Sequence, residues 1–213
     1  VTQLALPQQL GQPFGQGDKT DVCAQEQERA VFDLELSGKV ALVTGGSDGL
    51  GRAAAHRLAA EGALVVICGR RAAHAQQAAK DMTAAVQASG NNGGRVVGLR
   101  ADVTNAEDCD ALIAEIEHRH GGIDILINNA GMQHRTALQD FPPEAFERLL
   151  QTNIASVFHV AQAFARHMIA RKVDKLINIA SVQTASARPD FAPFTATKGS
   201  VGNLHKDMAG DWA

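Results

Sequence analysis

Tyrosine is absent from these 213 residues, and tryptophan occurs once. No phenol is available as a proton donor, so any chemistry that needs one must use another group. Cysteine is scarce too. Cys23, Cys68 and Cys109 are too few and too scattered for a disulfide framework or a zinc site, so no metal is expected. A reducing, cytoplasmic setting suits them. No apolar run approaches the roughly 20 residues that cross a bilayer, which argues against a membrane partner. Neither sign of charge dominates. The formal net charge of −3, from 20 basic and 23 acidic side chains, argues against nucleic acid or an anionic lipid surface. What remains is a globular composition, 45% apolar and 20% charged, in a length that suits one ordinary domain.

The first stretch shows no sustained periodicity. Residues 1–18 are rich in Gln, Gly and Pro, without the basic start or continuous apolar segment of a secretory signal. Residues 21–32 carry a short, mostly polar helical pattern. A flexible extension is therefore expected over residues 1–35, followed by a folded domain over 36–213. From Lys39 onward, short apolar runs at 40–43, 64–68, 96–99, 123–127 and 176–179 alternate with amphipathic stretches. Apolar runs of this kind suit strands buried on both faces. Between them, Ala75, Ala79, Met82 and Val86 share one helix face, and Ala106, Cys109, Leu112, Ile113 and Ile116 share another. Ile154, Val157, Ala161, Phe164 and Met168 form a third stripe. Asn105 offers a helix start and Gly90 a helix stop. Repeating βαβ units with right-handed crossovers predict an α/β fold. It is a Rossmann-like doubly wound parallel sheet in three α/β/α layers, with strand order 3-2-1-4-5.

The first apolar run leads into Thr44-Gly45-Gly46-Ser47-Asp48-Gly49-Leu50-Gly51. Between a strand and a helix, Gly45 permits a tight turn, Gly49 lets backbone approach a pyrophosphate, and Gly51 allows close packing of the helix. A purely structural turn is the competing reading. The second strand ends Cys68-Gly69-Arg70-Arg71, without the acid that usually binds a ribose 2′-hydroxyl. Arg70 either meets the 2′-phosphate of NADP(H), favouring it over NAD(H), or is a solvated arginine. Asp48 stands in the same turn and is expected to oppose that phosphate.

From Leu36 on, the sequence resembles the short-chain dehydrogenase/reductases, and five marks in order carry the likeness. They are the glycine turn, Asp102-Val103, Asn128-Asn129-Ala130-Gly131, Asn153 and Ser181. The resemblance implies that Gly45, Ser47, Gly49, Leu50 and Gly51 hold the cofactor phosphates, and that Asp102 and Val103 meet the adenine. It further implies that Asn129, Ala130 and Gly131 support the cofactor, that Asn153 is a structural and proton-relay residue, and that Ser181 binds the substrate carbonyl.

The sixth mark departs. The family reads Tyr-x-x-x-Lys, and this chain reads Phe194-Thr195-Ala196-Thr197-Lys198. Lys198 remains to bind the nicotinamide ribose and tune the acid. Phe194 keeps the shape of the catalytic tyrosine and loses its proton, which in general costs about 10² to 10⁴ in rate. The family's last strands and substrate-covering loop are also expected to be missing after Ala213. Arg135 and Arg188 occupy loops where a substrate carboxylate is expected, with Gln183 beside Arg188. Both loops resemble those of the gluconate 5-dehydrogenase-like branch. Exposed arginines without a ligand are the plainer reading. Two functions stay open: an oxidoreductase acting on a small polar hydroxy or keto compound, and a silent nucleotide-binding or dimerisation protein. A homo-oligomer, dimer or tetramer, is expected in either case.

Overall fold

The computed structural model describes residues 33–90, 93–172, 175–186 and 188–212. Apart from Asp33, Leu34 and Glu35, the expected extension lies outside the described residues, as does the polar helix expected over 21–32. The main compact unit is Leu34–Ala213. Its strands are β1 (Val40–Thr44), β2 (Leu64–Gly69), β3 (Arg95–Arg100), β4 (Ile125–Asn128) and β5 (Lys175–Asn178). All neighbours pair in parallel, in the expected order β3-β2-β1-β4-β5.

The described residues hold six α-helices: α1 (Gly49–Ala60), α2 (Ala72–Ala88), α3 (Ala106–His120), α4 (Pro143–Leu150), α5 (Ser156–Arg171) and α6 (Ala192–Trp212). The three layers follow from the strand pleat, which sends successive side chains to opposite faces. Ala41, Val43, Val65 and Ile67 pack with Ala55, Ala59, Met82 and Val86 of α1 and α2. Leu42, Val66 and Cys68 pack with Cys109, Ile113 and Ile116 of α3 and Phe164 of α5. Within α3, Asn105 caps the start by accepting the Asp108 N–H at 2.8 Å, a contribution of about 1 kcal/mol. Gly121, with φ of 79°, closes its end in the left-handed region.

Three details differ from the sequence pattern. Ala106 is exposed, because it opens α3 ahead of the buried stripe. The fourth apolar run enters the ladder only at Ile125. Asp124 before it turns its carboxylate to two distant groups, accepting the Val40 N–H at 2.8 Å and Arg171 Nη2 at 3.1 Å. Ile154 is half-buried, because residues 151–155 form a π-helical turn between α4 and α5. β5 forms one edge of the sheet, with Ile177 on it 44% exposed. Among the described residues, no helix is long and apolar enough to cross a membrane.

Candidate functional site

Parallel pairing brings the carboxyl ends of β1, β2 and β4 to one rim, where open α/β sheets bind ligands. The glycine turn sits there between β1 and α1. Gly45 has φ of 63°, and a Cβ on it would lie 3.0 Å from the Ala130 Cα. Gly49, with φ of 54°, faces open space, so its backbone is accessible to a ligand. Gly51 is buried. A Cβ there would run into the Asn129 side-chain amide and approach the Gly45 carbonyl oxygen to 2.6 Å. Its role is thus to let the helix start close over the end of β4. Asn129 binds the turn in return, its Nδ2 donating to the carbonyls of Thr44 at 3.0 Å and Gly45 at 3.3 Å.

These residues border a cleft of about 800 Å³. Gly45, Ser47, Gly49 and Leu50 line one wall, and Asn129, Ala130 and Gly131 line another. Arg70, Asp102 and Val103 complete it. The cleft therefore joins all the expected cofactor residues except Gly51, which packs behind it, and Lys198. Asp102 Oδ1 accepts both the Thr104 hydroxyl at 2.7 Å and the Thr104 N–H at 3.1 Å. Those hydrogen bonds, helped by the charges of Arg70 and Arg100, hold its carboxyl below the usual range. Asp48 also lines the cleft, but its carboxylate is bonded to His74 Nε2 at 2.7 Å.

Behind Gly131 lies the second group. Asn153, in the π turn, is fully buried. Its Oδ1 accepts the Met132 N–H at 2.8 Å, while Nδ2 donates to the Met132 carbonyl at 3.0 Å and to Thr197 Oγ1 at 3.1 Å. The Thr197 hydroxyl donates onward to the Phe194 carbonyl at 2.8 Å. Lys198, one residue on along α6, donates from Nζ to the Ile179 carbonyl at 2.6 Å, and burial lowers its pKa. A Cβ on Gly131 would lie 3.3 Å from Asn153 Oδ1 and 3.7 Å from Lys198 Nζ, so the three meet at one point. Ser181 follows β5 and caps the short turn Val182–Thr184, its Oγ accepting the Gln183 N–H at 3.2 Å. That turn packs on α6.

The substrate candidates converge on an aromatic residue. Arg135 and Arg188 place their guanidinium carbons 4.6 Å and 5.0 Å from the centre of the Phe191 ring. Phe191 in turn stands edge-on to Phe194, with centroids 6.2 Å apart. Gln183 Oε1 is buried with no hydrogen-bond partner among the described residues.

Several residues have roles that the motifs alone do not show. Thr44 Oγ1 accepts the N–H groups of Asn129 and Ala130, each at 3.0 Å. Gly46 is required because a Cβ would lie 2.5 Å from Ile67 Cγ2. His74, Phe191 and Thr197 join the site through contacts distant in sequence. The one local hint was that Thr44 and Gly46 stand inside the glycine turn itself.

The likeness extends across the described fold. A gluconate 5-dehydrogenase of Gluconobacter oxydans (strain 621H) is 47% identical over 184 residues, covering 84% of this chain and 67% of that protein. A 5-keto-D-gluconate 5-reductase of Escherichia coli (strain K12) is 35% identical over 175 residues, covering 82% of this chain and 66% of its own length. Among solved structures, a gluconate 5-dehydrogenase from Burkholderia cenocepacia J2315, in complex with NADP and tartrate, superposes with a TM-score of 0.75 at 43% identity. That match covers 83% of this chain and 66% of the other. The chain thus spans about two thirds of the length of these relatives. The family model described as short chain dehydrogenase matches residues 39–213, from the start of β1 through the glycine turn to α6. The chain belongs to the short chain dehydrogenase family.

Proposed function

We propose that the cleft binds NADP(H) in preference to NAD(H). The site is built to pass hydride between that cofactor and a hydroxy or keto carbon of a small polar acid such as gluconate, with its acid–base step disabled by Phe194. One observation carries this reading: the glycine turn, Arg70, Asp102 and residues 129–131 surround one cleft, with Lys198 and Asn153 meeting behind Gly131. The backbone fits a dinucleotide, since Gly49 is open to the cleft and Gly51 admits no side chain. When bound, the nicotinamide supplies or accepts the hydride.

The chain's own residues do the remaining work. Exposed N–H groups at the start of α1 favour the pyrophosphate, and the Arg70 guanidinium favours a 2′-phosphate. Lys198 is held by the Ile179 carbonyl and fixed near Gly131, at the cleft edge. Ser181 offers a hydroxyl to the substrate oxygen. Arg135 and Arg188 suit a carboxylate, and the unpartnered Gln183 Oε1 suits a hydroxyl donor on a polyol chain. Phe194 presents a ring with no exchangeable proton. A second reading, a catalytically silent nucleotide-binding or dimerisation protein, is favoured by Phe194. Phe146 on α4, with Phe158 and Ile169 on α5, is partly exposed and offers apolar surface for a homo-oligomer, dimer or tetramer. Cys68 and Cys109, both free thiols, suit a cytoplasmic setting.

Calorimetric titration with NADP+ and NAD+ tests the binding half, with tighter NADP+ binding expected. Arg70→Asp is expected to flatten or reverse the preference. Equal affinities in the unmodified protein would mean that Arg70 does not read the phosphate. Turnover on a gluconate and 5-ketogluconate panel tests the other half. Negligible rates are expected, and substantial activity would show that another group donates the proton.

A further inference from the structure

We infer that His74 is a specificity-determining residue for the nucleotide. It acts by holding the Asp48 carboxylate, so that a 2′-phosphate is tolerated in a cleft whose glycine turn carries an acid. The inference rests on the NADP(H) reading above. A carboxylate at Asp48 that swung toward Arg70 would repel a phosphate arriving there, since both residues line the same cleft. It is bound instead to the first turn of α2, where His74 Nε2 lies 2.7 Å from Asp48 Oδ2 across 26 residues of sequence.

The hydrogen bond from His74 is the largest influence holding the Asp48 carboxyl below its usual range. The charges of Arg71 and Arg52, and that of His74 when it is protonated, add to it. An ionised carboxylate only accepts, so His74 Nε2 carries the proton. α2 adds no acid in its first turn, and Arg71 stands directly before it. Arg70, Arg71 and His74 thus gather on the rim just past β2, and the nearby Asp48 is engaged by one of them.

The test is a double-mutant cycle at low ionic strength on the full chain. Its single variants are His74→Ala and Asp48→Asn, and its readout is calorimetric affinity for NADP+, NAD+, adenosine 2′,5′-bisphosphate and AMP. The pair is largely exposed, so the effect is modest. His74→Ala should weaken NADP+ and the bisphosphate by up to about fivefold and leave NAD+ and AMP nearly unchanged. With Asp48→Asn already present, adding His74→Ala should cost little, because no charge remains to be held. An equal loss for all four nucleotides would overturn the inference by showing a structural role. So would an undiminished loss in the Asp48→Asn background, which would mean that His74 meets the phosphate directly, or no loss at all. If the unmodified protein binds NADP+ more tightly than NAD+, those outcomes leave the cofactor reading standing. If it binds none of the four, both are lost.

Discussion

Phe194 is held from both ends. Its ring stands at 80° to that of Phe191, and its carbonyl accepts the Thr197 hydroxyl. A hydroxyl added at the ring tip leaves both contacts in place, so Phe194→Tyr is expected to fold normally. The new phenol would sit four residues before Lys198, one turn away on the same face of α6. An ammonium nearby stabilises a phenolate and lowers its pKa. Turnover is expected to rise by about 10² to 10⁴, and its pH–rate profile to gain an ionisation that the unmodified chain lacks. A rise below about tenfold, without that ionisation, would place the defect in substrate positioning rather than in the proton.

At the scale of elements, the π turn between α4 and α5 is the joint that holds the second half of the site. Its residue Asn153 uses both ends of its amide, binding the loop after β4 through Met132 and α6 through Thr197. Asn153→Ala would leave the half-buried Met132 N–H and carbonyl without these partners, at a cost of about 1–3 kcal/mol. The urea midpoint should fall accordingly. Lys198 should also lose its fixed place beside Gly131, seen as weakened NADP+ binding. Unchanged stability would mean that the π turn is not a joint. The turn itself was not legible in the sequence, because the apolar stripe of α5 continues through Ile154 without marking an extra residue per turn. The strands were legible because a sheet buried on both faces demands unbroken apolar runs, and the cleft was legible because its glycines and Arg70 lie beside strand ends. Contacts such as Thr44 with Ala130, or two arginines on Phe191, join distant segments and leave no local pattern. Asp48 shows the same limit: its place in the turn was readable, but its partner on α2 was not.

Across the whole molecule, the sheet buries two thiols in the apolar layer shared with α3 and α5. Cys68 on β2 and Cys109 on α3 are fully buried in the same cluster, and loss of hydration pushes each thiol pKa up to about 12. The thiolate is the reactive form, so neither side chain should react while the fold is closed. Native protein treated with iodoacetamide at pH 8 is expected to show both positions unmodified by peptide mass spectrometry, with both modified in urea. The same shifts set the alkaline limit. An acid whose folded pKa is raised contributes stability below its ordinary value of 9.0, and that stability is lost as pH rises toward about 12. Lys198 acts in the opposite sense. Its lowered pKa penalises the folded state at neutral pH, and the penalty is relieved as pH rises toward the ordinary lysine value of 10.5. The two effects oppose each other up to that point, and beyond it, of these three groups, only the thiols still lower the stability. The urea midpoint should therefore fall most steeply above about pH 10.5. Substituting both cysteines by alanine should flatten that fall while costing stability at pH 7, since each change removes a packed side chain from the core. An alkaline fall of the same steepness without the thiols would assign it to other groups.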